Sequence, residues 1–383
     1  MAYDFDRIID RRHTDSAKWR WYDEDVLPLW VADMDFAAPE PVIRALKERV
    51  SHGVFGYGMP SDTLREVIQE RLARLYGWRV ETGDIFFIPG VVTGFNRACL
   101  AVGAPGDEVL VEPPVYFPML SAPKNGGRIC KTVTLVEGAE RYERDLDAFE
   151  RAITERTSLL LLCNPHNPVG RVFERTELEQ LAEICLRHDV VICSDEIHCD
   201  LVFKGHPHVP IASLSPETAA QTITLFAPSK TYNVAGLSCS VGVVQNPELR
   251  ARLKVAGAGL IPHVNVLGYT AALAAYRDGQ EWLDEIIVYL EANRDYLLEY
   301  IAAHVPAIKC HRPEGTYLAW LNCRETSIPG NPHEFFLEHA RVALNDGAVF
   351  GEGGEGFVRL NFGCPRATLT EALERMREAL DKL

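Results

Sequence analysis

Three short polar segments each follow an apolar run: Asn164-Pro165-His166-Asn167-Pro168-Val169-Gly170, Ser194-Asp195-Glu196-Ile197-His198 and Ser229-Lys230. An amide, an acid and a lysine delivered to one crevice suit a cofactor that carries an aldehyde, a phenolic oxygen and a pyridine nitrogen. A neutral lysine amine can form a Schiff base with such an aldehyde, whereas a solvated lysine stays protonated and inert. Lys230 stands between the apolar run Thr222 to Phe226 and Asn233-Val234-Ala235-Gly236-Leu237, surroundings too apolar for a solvated loop. Asp195 closes a largely apolar run, where an ionised carboxylate needs a cationic partner, and a protonated pyridine nitrogen is one. Its alternative is a helix N-cap. Asn167 suits a hydrogen bond to the phenolic oxygen, or it is only a turn residue.

Further candidates complete the set. Ile88-Pro89-Gly90-Val91-Val92-Thr93-Gly94 reads as strand, glycine turn and helix start, which offers the amides of Val91 and Val92 to a phosphate. Thr93 could equally be a plain N-cap. Ser229 adds a hydroxyl beside the lysine. Tyr116, in Glu112-Pro113-Pro114-Val115-Tyr116, could stack on a pyridine ring or be core. Arg359 interrupts Phe357-Val358-Arg359-Leu360, where a guanidinium must find an anion; a substrate α-carboxylate and an internal salt bridge both qualify. Gly351-Glu352-Gly353-Gly354-Glu355-Gly356 spells a dinucleotide fingerprint but precedes a strand and carries two acids, so it reads as a turn. No Walker-type lysine, zinc-spaced cluster or G-x-S-x-G elbow occurs, and no metal site is expected.

The elements that must position these residues are parallel strands covered on both faces. Leu159 to Cys163, Val190 to Cys193 and Thr222 to Phe226 are apolar without polar alternation, so their C-terminal ends should open onto one crevice. Thr176 and Glu179 read as a capping box ahead of Leu178, Leu181, Ile184 and Cys185. From residue 280 to 304, Trp282, Ile286, Leu290, Asn293, Leu297 and Ile301 share one helical stripe. Strand candidates at 317–321 and 357–360 and a terminal helix bearing Leu369, Leu373, Met376 and Leu380 follow. The expected architecture is α/β: a large domain over 51–280 and a smaller α+β domain over 281–383, joined by an N-terminal segment, 1–50.

With 383 residues, 47% hydrophobic and 24% charged, the composition is that of a globular protein with a sizeable core. A formal charge of -15 argues against a nucleic-acid partner. No apolar stretch is long enough for a membrane span, and Met1 to Arg12 resembles neither a secretory signal nor a transit peptide, which implies a cytoplasmic protein. The ten cysteines form no C-x-x-C pair and several lie in apolar runs (Cys163, Cys185, Cys193, Cys239), so reduced thiols are expected.

Across essentially its whole length the chain resembles the fold-type I pyridoxal phosphate superfamily, the aspartate aminotransferase fold, with a mostly parallel seven-stranded sheet in its large domain. Within it the chain most resembles the cystathionine β-lyase branch often called MalY/PatB. The residues that carry this are Asp4-Phe5-Asp6 with Ile9-Asp10-Arg11-Arg12, Pro28-Leu29-Trp30-Val31-Ala32-Asp33-Met34-Asp35-Phe36, Asp195-Glu196-Ile197-His198 and Arg359-Leu360-Asn361-Phe362-Gly363-Cys364-Pro365-Arg366. The resemblance implies pyridoxal 5'-phosphate as cofactor, Lys230 as Schiff-base lysine and base, Asp195 as pyridine partner and Asn167 as phenolic-oxygen partner. It also implies Tyr116 as the stacking ring and Arg359 as the carboxylate clamp. Tyr57 resembles the tyrosine that reaches a neighbouring subunit's cofactor phosphate, which implies an obligate homodimer.

Two positions depart from the aminotransferase pattern. His198 stands where a tyrosine is usual, three residues after the aspartate, and is counted with the cofactor-binding set. Ser238 stands where a phosphate-binding arginine is usual, which leaves the balance of phosphate charge open. Both departures are similar to those of the lyase branch. The implied activity is α,β-elimination of cystathionine or a cysteine S-conjugate to thiol, pyruvate and ammonia. An aminotransferase is the alternative enzyme, and a regulatory protein that binds the cofactor is the alternative of another class.

Overall fold

The computed structural model of the chain describes residues 3–383; the first two residues of the amino-terminal stretch read above for a leader lie outside them. Strands β1 (Ile85–Ile88), β2 (Glu108–Val111), β3 (Ile129–Thr132), β4 (Thr157–Cys163), β5 (Val191–Asp195), β6 (Thr222–Phe226) and β7 (Ser240–Val243) form one seven-stranded sheet. Their order is β1-β7-β6-β5-β4-β2-β3, with β7 antiparallel to both neighbours and every other pair parallel. Every residue of β6 is buried, as are all but one in each of β4 and β5. The side-chain period of two explains why these runs lack polar alternation: Leu159, Leu161 and Cys163 feed the core on one face, while Leu160 and Leu162 feed the other.

Helices α1 (Val91–Ala101), α2 (Arg175–Arg187) and α3 (Pro228–Thr231) follow β1, β4 and β6. The capping box of α2 is formed by Glu174 and Glu177, not by the expected Thr176 and Glu179. Glu177 both accepts from the Glu174 amide at 2.7 Å and pairs with Arg171 at 2.6 Å. These two contacts start the helix earlier than its apolar stripe suggests and leave Thr176 inside it.

Beyond the sheet, α4 (Gln280–His304) buries all six residues of the stripe read from its sequence. Its one polar member is accounted for: the Asn293 amide donates to the Phe362 and Cys364 carbonyls at 3.0 and 2.8 Å, and its oxygen accepts from Arg366 Nε at 2.7 Å. Strands β8 (Leu318–Asn322), β9 (Asn345–Asp346) and β10 (Phe357–Asn361) form an antiparallel sheet in the order β8-β10-β9, and α5 (Arg366–Leu380) closes the unit. Near the start of the chain, Leu27–Pro28 pairs in parallel with Val342–Ala343. Phe5, Leu29, Met34 and Phe36 accordingly share a core with Leu321, Phe362 and Leu369.

The G-x-G-x-x-G spelling is a turn ahead of β10, with Gly351, Gly353 and Gly356 all at positive φ. All ten cysteines are free, and eight of them are buried. Among the described residues no helix is long and apolar enough to cross a membrane and no cluster is spaced to hold a metal ion.

Candidate functional site

Strand register assembles the site. Cys163 at the end of β4 pairs with Asp195 at the end of β5, and Asp195 with Leu225 of β6, so the three polar segments leave the sheet side by side. A cavity of about 370 Å³ opens there. Its lining includes Asn167, Asp195, His198, Ser229, Lys230 and Arg359, together with Tyr116, Val91 and Val92. Tyr57 is fully exposed and lies outside it.

Lys230 sits in α3, one residue after Ser229, and its Nζ donates to the Ala32 carbonyl at 2.6 Å. Burial, with the Arg359 cation nearby, pushes its amine down to about 8. Asp195 is 4% exposed, and its carboxylate accepts from the Ile197 amide at 3.1 Å. No cationic side chain lies within ion-pair distance among the described residues, and burial pushes the carboxyl up to about 7. The Ile197 contact closes a turn, so Asp195 does not cap a helix here.

Arg359, on β10, donates to Asn167 Oδ1 at 3.0 Å, to the Trp30 carbonyl at 2.8 Å and to Asn345 Oδ1. All three acceptors are neutral. The internal salt bridge considered above is therefore not formed among the described residues, the Nε is buried without a partner, and burial pushes the guanidinium down to about 10. His198 is buried with its ring edge-on to Tyr317, centroids 5.8 Å apart, and its Nδ1 is unpartnered. Burial holds this imidazole well below its ordinary value, so it is neutral. The Tyr116 amide donates to the Asn167 carbonyl at 3.0 Å, which fixes the ring-bearing loop against the amide-bearing one.

Gly90, also in the lining, precedes α1 with φ 119°, a conformation that L side chains rarely adopt. Val91 and Val92, in the first turn, line the cavity, and the first amides of a helix have no partner within it. Thr93 is inside the helix rather than at its cap, and its side chain lines the cavity with Ser229, Ser238 and Ser240. Trp30, Ala32, Phe117, Cys163 and Asn345 also line it, though none of them is among the site candidates read from the sequence. Trp30 and Ala32 belong to a stretch quoted only for its resemblance. Asn345 lies on a two-residue strand too short to show periodicity.

The family profile of class I and II aminotransferases matches residues 24–376. The chain belongs to that family. Within the class I and II aminotransferases it is similar to the cystathionine β-lyase PatB of Bacillus subtilis, 40% identical over 98% of this chain and 99% of that protein. Among solved structures it is similar to OvoB, at 46% identity and TM-score 0.94 over 99% of both chains. It is also similar to cystalysin from Treponema denticola, a structure that contains pyridoxal 5'-phosphate, at 34% identity and TM-score 0.95 over 100% of both chains. The α/β architecture read from the sequence, aspartate aminotransferase-like with a smaller α+β part, is the one found.

Proposed function

We propose that the chain is a pyridoxal phosphate-dependent carbon–sulfur β-lyase that converts cystathionine or another cysteine S-conjugate to a thiol, pyruvate and ammonia. The observation that carries this is Asp195, a buried carboxylate without a cation, facing the same cavity as a lysine whose amine is held near 8. Similarity to PatB and to cystalysin supports the same reading.

The residues present fit the cofactor. Asp195 would meet the pyridine nitrogen, Asn167 the phenolic oxygen and Tyr116 the ring face, with His198 beside them. The amides of Val91 and Val92 and the Ser229 hydroxyl would hold the phosphate. With Ser238 in place of a guanidinium, the start of α1 and hydroxyls carry that task. Pyridoxal phosphate bound here supplies an aldehyde that captures the substrate amine and a ring that accepts the electron pair left by the α-proton. Lys230, partly neutral at physiological pH, takes that proton. Arg359, with no anion of its own, holds the substrate carboxylate and so aligns the α-carbon with the Lys230 amine. Departure of sulfur from the β-carbon distinguishes the lyase from the aminotransferase alternative.

The same reading assigns 51–280 to the cofactor-binding domain and joins 1–50 to 281–383. It makes the molecule a homodimer in which the exposed Tyr57 reaches the neighbouring site. Cofactor-loaded protein given cystathionine or an S-alkyl cysteine is expected to release thiol and pyruvate without an added keto acid. Dependence on a keto acid would favour the aminotransferase, and silence in both formats a binding protein. Borohydride reduction should trap the cofactor on the peptide that contains Lys230.

A further inference from the structure

Residues 30–36 form a strap with no helix or strand, and Trp30, Val31 and Ala32 of it line the cavity. Buried main-chain carbonyls need donors, and here side chains supply them. The Trp30 carbonyl accepts from Arg359, and the Ala32 carbonyl from Lys230 and, at 2.8 Å, from the Tyr317 hydroxyl. Asn361 Nδ2 donates to the Val31 and Asp33 carbonyls, both at 2.6 Å. Asn233 Nδ2 donates to the Met34 and Phe36 carbonyls at 2.8 and 2.7 Å, while its Oδ1 accepts from the Met34 amide at 3.0 Å. Asn361 is fully buried and two residues beyond Arg359 on β10, so both side chains leave the same face of that strand. Asn233 lies three residues beyond Lys230 at φ 55°, a conformation that asparagine tolerates better than most residues.

Each asparagine thus grips the strap from a segment that also carries a site residue. We propose that Asn361 and Asn233 are positioning residues that fix the register of the 30–36 strap, so that its Ala32 carbonyl docks the free Lys230 amine and its Trp30 carbonyl braces Arg359. The docked carbonyl is an acceptor for the ammonium form. Losing it disfavours that form, as does any retreat of Asp33, which the strap carries; Asp195, Arg359, His198 and Tyr317, which also face the amine, lie on other elements. This rests on the reading of Lys230 as the reactive amine, but neither readout below needs turnover.

In Asn361→Ala, amides of 30–36 are expected to exchange with deuterium about tenfold faster or more in the holoprotein, as two lost hydrogen bonds would allow, with β5 and β6 unchanged. In the cofactor-free protein, the pH midpoint for acylation of Lys230 is expected to fall by about half a unit or more. Asn233→Ala, at a partly exposed position, should give both effects if Asn361→Ala fails to fold. Asn361→Asp, which keeps the shape but not the donors, should give the same faster exchange. Exchange that is unchanged or uniformly faster, or an unmoved Lys230 midpoint, would overturn the proposal. Absence of lyase activity with both effects present would count against the function and leave the strap standing.

Discussion

Two groups of buried charges lie within the reach of one strap and meet opposite fates. On the strap itself, Asp35 is ion-paired to Lys18 and to Arg11, each at 2.7 Å, and accepts from Trp19 Nε1 at 2.8 Å, while Arg11 also pairs with Asp33 at 2.9 Å. Burial alone would raise the Asp35 carboxyl, but the two cations outweigh it and hold it below the ordinary range. In the cavity, Asp195 and Arg359 are as deeply enclosed and Lys230 partly so, yet none has an ion-pair partner among the described residues, and burial shifts each toward its neutral form. The difference is one of pairing rather than of burial. The first group spends its charge on holding the chain together, and the second keeps it for a molecule from outside.

Removing the reactive amine should separate the groups most sharply. Lys230→Ala is expected to lower thiol release by about a thousandfold or more, measured with saturating thioether, without unfolding the protein. The two aspartates should then diverge. Asp195→Asn is expected to cut turnover by about a hundredfold or more while leaving the cofactor-free protein no less stable in denaturant titration. Asp35→Asn should instead cost about 3–5 kcal/mol in the same titration, because it takes the nearer counter-ion from the buried Lys18 and leaves only Asp33 at 3.6 Å.

A subtler separation lies in pH. The raised carboxyl of Asp195 binds its proton more tightly folded than unfolded. Without cofactor, the protein should therefore lose stability as pH rises from about 4 to about 7, a dependence that Asp195→Asn flattens. Asp35 has the opposite sign: its contribution is present above the ordinary carboxylate range and is lost as pH falls through its depressed value. The smallest expected effect is on reagent selectivity. Lys230 in cofactor-free protein should reach half its maximal acylation rate near pH 8, and a midpoint near that of exposed lysines would break the comparison.

Much of the reactive group was legible because it sits where strands end. Asn167, Asp195 and Lys230 each follow an apolar run with no polar alternation, and parallel strands must deliver such positions to one edge. Arg359 was legible as an interruption in an apolar strand. The paired group and the strap's clamps were not. Contacts from Asn361 to Val31 or from Asn233 to Met34 join segments hundreds of residues apart through main-chain carbonyls, which leave no trace in side-chain pattern. The capping box of α2 was misplaced for a related reason: Arg171, outside the helix, recruits Glu177. Ser238 illustrates a third case. Its departure from the aminotransferase pattern was visible, but only the fold puts it among the hydroxyls near the start of α1.

The alignment of Leu27–Pro28 beside Val342–Ala343 also has a bearing on the order of events during synthesis. Lys230, Asp195 and the turn at Gly90 are all made well before Val342–Ala343 leaves the ribosome. Leu27–Pro28 must nevertheless wait for a partner that emerges much later, and until then the pocket has neither its strap nor Arg359. A nascent chain can shape the floor of this active site, but only release of the last segments can give it walls.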